Sequence, residues 1–235
     1  MPGLQVLNER LNMTDRVKLT PWYTSSFGLS NGISFAVIGY LFANFSWKIA
    51  CYTTSISAAL SAIIILFLTT SHNQKKDITE RKFFDLRPAF KNKEALGYIF
   101  SYGTHTYELF AYRAWIFTFL LWASLRTPNT ISSELISLII GIFMFIGMVS
   151  SLMGAKFCLD YGRKKVLMFI GFATFVFSVI CAISISLPLW VIIILVGIYH
   201  AFIMLDSGAL TAGTVSVSDD NERGAILAFH SIIGF

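Results

Sequence analysis

Charge is scarce in this chain: Asp, Glu, Lys and Arg make up 13% of its 235 residues, against roughly a quarter in soluble domains. With 55% hydrophobic residues and a mean hydropathy of +0.68, too little polar material remains to clothe a water-facing surface, so the composition points to a membrane protein. Cysteine is equally sparse. Cys51, Cys158 and Cys181 fall in different spans or loops of the topology below, which speaks against a disulfide framework. Enzyme signatures are missing too: there is no phosphate-binding glycine loop, no His/Cys metal spacing and no Ser-His-Asp set on rigid elements. We therefore expect no enzyme and no cofactor. The net charge of +5 is not a nucleic-acid footprint, because the cations lie in short links between apolar runs. Met1 to Thr20 has no apolar core segment, which argues against a cleaved secretory signal.

What the sequence has in abundance is long apolar runs. The clearest pair flanks Ala155-Lys156-Phe157-Cys158-Leu159-Asp160-Tyr161-Gly162-Arg163-Lys164-Lys165, which reads as a short charged loop. Ile131 to Met153 precedes it and Val166 to Ser186 follows. Each has the ~20 residues needed to cross a bilayer core. Four further runs are Leu19 to Phe42, Ile49 to Thr70, Leu96 to Leu125 and Leu189 to Val217; Ala225 to Phe235 begins another. Eleven residues are too few to span ~30 Å as a helix. The fold class expected is therefore all-α, a polytopic transmembrane helical bundle. Trp47, Trp115, Trp122 and Trp190 fall where interfacial anchors belong.

The basic residues orient these spans. Fifteen of the 18 Lys and Arg fall in alternate links on one side, whereas only Lys48 and Arg126 fall on the other and Arg113 lies inside a span. By the positive-inside rule, the first set is cytoplasmic, as are both ends of the chain. Seven of these cations crowd Ser71 to Ala95, a topology determinant that also suits contact with anionic lipid of the bilayer.

A weak repeat accompanies this pattern. Asp15-Arg16 precedes Trp22-Tyr23-Thr24, and Glu222-Arg223 precedes Phe229-His230-Ser231, 207 residues later. Six spans lie between, the period of a transporter built from two six-helix halves. Together with Gly162-Arg163-Lys164-Lys165, this makes the chain resemble part of a major facilitator superfamily transporter. The family's loop reads Gly-x-x-x-Asp-Arg/Lys-x-Gly-Arg-Lys/Arg-Lys/Arg; here Ala155 replaces its first Gly, Leu159 its Asp and Asp160 its first cation. The resemblance implies that the loop joins helices eight and nine and that the chain is a fragment covering helices five to ten and the start of eleven. Residues 1–70 would end the N-terminal half, 71–95 would be the central cytoplasmic loop, and 96–235 would belong to the C-terminal half. It also implies secondary transport of a small solute by alternating access, in a multi-pass protein of the bacterial inner (plasma) membrane. The alternative is a truncated or non-transporting membrane protein, a scaffold or half-transporter needing a partner chain.

The candidate site is in the third run, which carries Tyr102, His105, Glu108, Tyr112 and Arg113. A charge at mid-bilayer costs about 2.5–3.5 kcal/mol on insertion scales, so it is partnered or faces water. His105 and Tyr112 share one helix face, with Glu108 and Arg113 on its two flanks. Such a polar arc suits a helix lining an aqueous cavity, with Arg113 binding an anionic solute group and Glu108 or His105 taking up a coupling proton; a structural salt-bridge network is the plainer reading. The sixth run carries a stripe of His200, Ser207, Thr211 and Thr214, and another of Tyr199 and Asp206. The stripe is expected to serve helix–helix hydrogen bonding, and His200 packing. Asp206 lies toward the end where Arg163 or Arg223 can reach it. The family resemblance implies that Asp160, Gly162, Arg163, Lys164, Asp206 and Arg223 form a conformational latch.

Overall fold

A computed structural model describes residues 11–68, 86–128, 130–219 and 221–234 of the chain. Nine α-helices are found among them: α1 (Met13–Asn44), α2 (Trp47–Leu68), α3 (Arg87–Lys91), α4 (Lys93–Leu125), α5 (Ser133–Tyr161), α6 (Arg163–Ile183), α7 (Leu189–Leu205), α8 (Ser207–Ser216) and α9 (Arg223–Gly234). No strand occurs among the described residues, and the fold is an all-α helical bundle. Of the central cations, Lys75, Lys76, Arg81 and Lys82 lie outside the described residues, as does Arg10.

The helix ends follow from local chemistry. The Asn12 side chain accepts from the Asp15 N–H at 2.9 Å, and Asp15 itself faces the positive end of the α1 dipole. Asn92 and Ser132 cap α4 and α5 in the same way, accepting from the Ala95 and Leu135 N–H groups. Pro21 lies within the continuous α1, and the hydroxyls of Ser25 and Thr24 donate to its carbonyl at 2.6 and 3.1 Å.

Among the described residues, five stretches are long and apolar enough to cross a membrane: Thr14–Asn44, Trp47–Phe67, Ser133–Tyr161, Arg163–Ser186 and Leu189–Ser216. Outward residues such as Leu66, Phe67, Phe169, Phe172 and Ile194 are exposed, a surface suited to lipid. The third run of the sequence, now α4, is not among the five, because Glu108, Arg113 and His105 lower its hydropathy. Its 33 residues still extend for about 50 Å. Its inward face, including Ile99, Tyr102, His105, Leu109, Tyr112, Ile116 and Leu120, is buried.

One expectation about continuity is corrected and another refined. The stretch from Ala155 to Tyr161 is not loop: α5 continues through it, and Gly162 alone separates α5 from α6. Gly162 has φ +91°, a backbone conformation that costs an L side chain strain, so one glycine makes the whole turn. The run Leu189 to Val217 remains one apolar stretch, Leu189–Ser216, but Asp206, with right-handed backbone angles (φ −89°, ψ −19°), is a single turn residue between α7 and α8.

The most extensive packing is of α1 on α5, where glycines let two backbones touch. A methyl group on Gly32 would meet the Gly141 carbonyl at 2.9 Å, and one on Gly141 would meet the Gly32 carbonyl at 3.0 Å. Below this contact Gly154 of α5 faces the Leu205 carbonyl, immediately before the turn between α7 and α8, and a methyl group there would overlap that oxygen. The main apolar core joins α4, α5 and α7 through residues such as Leu120, Ile136, Ile140, Met144, Ile192 and Val196. Replacing Gly154 with Ala should cost about 1–3 kcal/mol by overpacking and lower the melting temperature of the detergent-purified protein. Gly97→Ala, whose methyl group meets nothing within 4 Å, is the control and should be neutral or stabilising by up to about 1 kcal/mol. Equal melting temperatures for the two variants would refute the close-packing account.

Candidate functional site

The polar residues of α4 divide into two groups, one helical turn apart. In the first, the Tyr199 hydroxyl of α7 donates to Glu108 Oε1 at 2.7 Å. Tyr112 stacks on His200 with ring centroids 4.8 Å apart and meets Tyr199 edge-on at 5.8 Å. Its hydroxyl reaches the Val196 carbonyl at 3.4 Å. His200 is only 1% exposed. Removing a carboxylate even partly from water is costly unless it is hydrogen-bonded, and the Tyr199 hydroxyl supplies that bond to the half-buried Glu108.

In the second group, His105 Nδ1 lies 2.7 Å from Asp206 Oδ1, with the imidazole side chain 2% and the carboxylate 23% exposed. Tyr102 stacks on His105 at 5.7 Å and on His230 of α9 at 4.1 Å. His230 Nδ1 is 3.3 Å from the Thr214 hydroxyl of α8. The sequence reading placed His105 on the polar arc but missed its partner. Asp206 was read as facing Arg163 or Arg223, and in the structure its carboxylate contacts α4 instead. His230 was noted only as part of a repeat.

Between α1 and α4 a cavity of about 300 Å3 opens beside this second group. Its wall includes Thr24, Phe27 and Ser30 from α1, Tyr102 and His105 from α4, and Ser207 from α8. Of the four predicted site residues, only His105 lines it. Arg113, two turns further along α4, does not line it but stacks its guanidinium at 5.0 Å over the ring of Phe27, which does. Arg113 Nε and Nη2 are buried without a hydrogen-bond partner among the described residues, as is His105 Nε2. The α1 hydroxyls carry no motif, so nothing in the sequence marked them.

The predicted latch residues separate. Asp160 and Lys164 are exposed. The Arg163 guanidinium donates to the Ser216 hydroxyl at 2.8 Å, and Arg223, 6% exposed, donates to the Ser218 carbonyl at 2.9 Å. Two cations thus meet the C-terminal end of α8, where the helix dipole favours positive charge.

A bundle of apolar helices around a buried polar centre defines a multi-pass membrane protein. The sequence model of the Major Facilitator Superfamily matches residues 2–235, and the chain belongs to that family. The family moves small solutes across membranes and is not enzymatic. No curated protein and no solved structure matches the chain.

Hydrogen bonds to charged groups contribute about 1.5–3 kcal/mol, so Tyr199→Phe should destabilise the purified protein measurably. In a double-mutant cycle with Glu108→Gln, the coupling between the two positions should reach about 1–2 kcal/mol. Additive melting-point changes would show that the bond between them contributes nothing.

Proposed function

We propose that this protein is a secondary active transporter that moves a small anionic solute, with a proton, by alternating access. The observation that carries this reading is the cavity between α1 and α4, lined by His105 and by Phe27, whose ring carries the Arg113 guanidinium; His105 Nε2 and Arg113 Nε and Nη2 are buried without a hydrogen-bond partner among the described residues. Leaving a buried donor unpaired costs about 1–3 kcal/mol and more when it is charged, so such groups call for an acceptor. A carboxylate or phosphate fits the paired N–H donors of a guanidinium. Arg113 is the anion-binding residue in this scheme, the Phe27 ring holds its guanidinium, and Glu108, held by Tyr199, balances its charge in the empty protein.

The division of the chain at residues 71–95 gives this cavity two walls. Helices α1 and α2 belong to one half and α4 to α9 to the other, so the close contact of α1 on α5 is where the halves rock. The distribution of Lys and Arg favours cytoplasmic positions for both ends of the chain. The compact links favour a bacterial inner membrane.

The test is uptake by the intact purified protein in proteoliposomes, with radiolabelled lactate, succinate, inorganic phosphate and glucose 6-phosphate, and glucose as a neutral control. At least one anion should be taken up. Arg113→Gln and Glu108→Gln should each lower its uptake by about tenfold or more, the equivalent of ~1.4 kcal/mol, with membrane insertion unaffected. Wild-type rates in both variants would defeat the site assignment.

A further inference from the structure

Asp206 occupies the N-cap position of α8, yet its side chain makes no capping hydrogen bond to that helix. Aspartate at an N-cap ordinarily accepts from the second or third N–H of its own helix. Here the carboxylate turns instead to His105 Nδ1, 2.7 Å away on α4. The cap it leaves vacant is filled from α5, where the Ser151 hydroxyl accepts from the Gly208 N–H at 3.1 Å. The orphan donor of the helix start is therefore satisfied without Asp206, and the carboxylate is released for another task.

That task concerns the imidazole. With Nδ1 held on Asp206, proton exchange falls to the other ring nitrogen, and His105 Nε2 is buried without a partner among the described residues while the ring lines the cavity. The carboxylate lies in ion-pair contact with one nitrogen and so orients the ring. The other titratable groups around the pair are Tyr23 of α1, Tyr102 and Arg113 of α4, Cys158 of α5, His200 of α7 and His230 of α9. A second carboxylate, Glu108, lies one turn along α4, where it accepts from the Tyr199 hydroxyl. His230 is engaged with Thr214 and His200 is stacked on Tyr112.

Building on the transport reading above, we infer that His105, positioned by Asp206 between α7 and α8, carries the coupling proton, one per singly charged anion. His105 Nε2 takes a proton from water on one side of the membrane and releases it to water on the other; no other bond forms or breaks. Charge balance supports the ratio. Glu108 and Arg113 offset one another, so with neutral His105 the centre keeps the single negative charge of Asp206. A proton cancels that charge and a singly charged anion on Arg113 restores it. The empty and fully loaded centres therefore bury the same net charge, while either half-loaded centre differs by one unit. The turn is also placed to report this state: Gly154 of α5 packs on the Leu205 carbonyl, and a methyl group on Gly208 would meet Pro21 of α1 at 3.1 Å. A change at Asp206 thus bears on the contact of α8 with both α5 and α1.

The experiment uses the same proteoliposomes and the four anions, with a pH-sensitive dye inside and two readouts: proton entry per anion, and exchange of labelled for unlabelled anion, which needs no net proton movement. Wild type should take up about one proton per singly charged anion such as lactate, with faster uptake as the outside is acidified. Asp206→Asn should lower proton-driven uptake about tenfold, within the range of ordinary coupling between sites, and should lower exchange much less. Asp206→Glu should recover part of the coupling. Unaltered proton entry in Asp206→Asn overturns the inference. So does equal loss of both readouts in Asp206→Asn and Asp206→Glu with insertion intact, because the pair is then structural. Net uptake of an anion by wild type without proton entry overturns the coupling and leaves the transport reading standing, whereas no movement of any of the four anions brings down both.

Discussion

A helix that carries Glu108, Arg113 and His105 through a low-dielectric bundle must find a partner for each, because an isolated buried charge is far costlier than the packing it displaces. Much of the arrangement around α4 answers that demand. Tyr199 is brought to Glu108, Asp206 to His105 and the face of Phe27 to Arg113. These partners come from α7, from the turn between α7 and α8, and from α1. The need to neutralise α4 therefore constrains three other elements at once.

Close packing makes the arrangement possible. The glycines of α1 and α5 bring backbones into direct contact, as membrane helices do when dispersion and shape, rather than water exclusion, hold them together. With α1 so near α5, the α1 hydroxyls and the end of α8 are drawn toward the polar face of α4. The cavity lies in the space that remains. Serine and threonine hydroxyls along α1 largely satisfy carbonyls of their own helix, as Ser25, Thr24, Ser26 and Ser30 do. The α1 wall is thereby polar without carrying charge.

The turn at Asp206 connects the two themes. A helix without such a turn would pair every main-chain group within itself. This one releases a carboxylate to α4 and accepts a hydroxyl cap from α5. Arg163 and Arg223 close the far end of the same short helix through Ser216 and Ser218. Both ends of α8 are consequently held by side chains from other helices, which makes this ten-residue segment the place where changes at the polar centre and at the helix ends meet.

Hydropathy and charge spacing are local properties, and the sequence by itself determined what depends on them: an all-α membrane bundle, the spans and their approximate limits, and α4 as the helix with a polar face. Gly162 was legible as a turn because only glycine adopts its backbone conformation without strain. The tertiary structure alone decided the pairings. Asp206 was equally near Arg163, Arg223 and His105 as far as helical periodicity could say, and the choice rested on where α5 ends, how α7 turns into α8 and how deeply α1 packs. A hydrogen-bond partner is selected by distance in space between residues far apart in the chain, and one-dimensional periodicity carries no information about that distance.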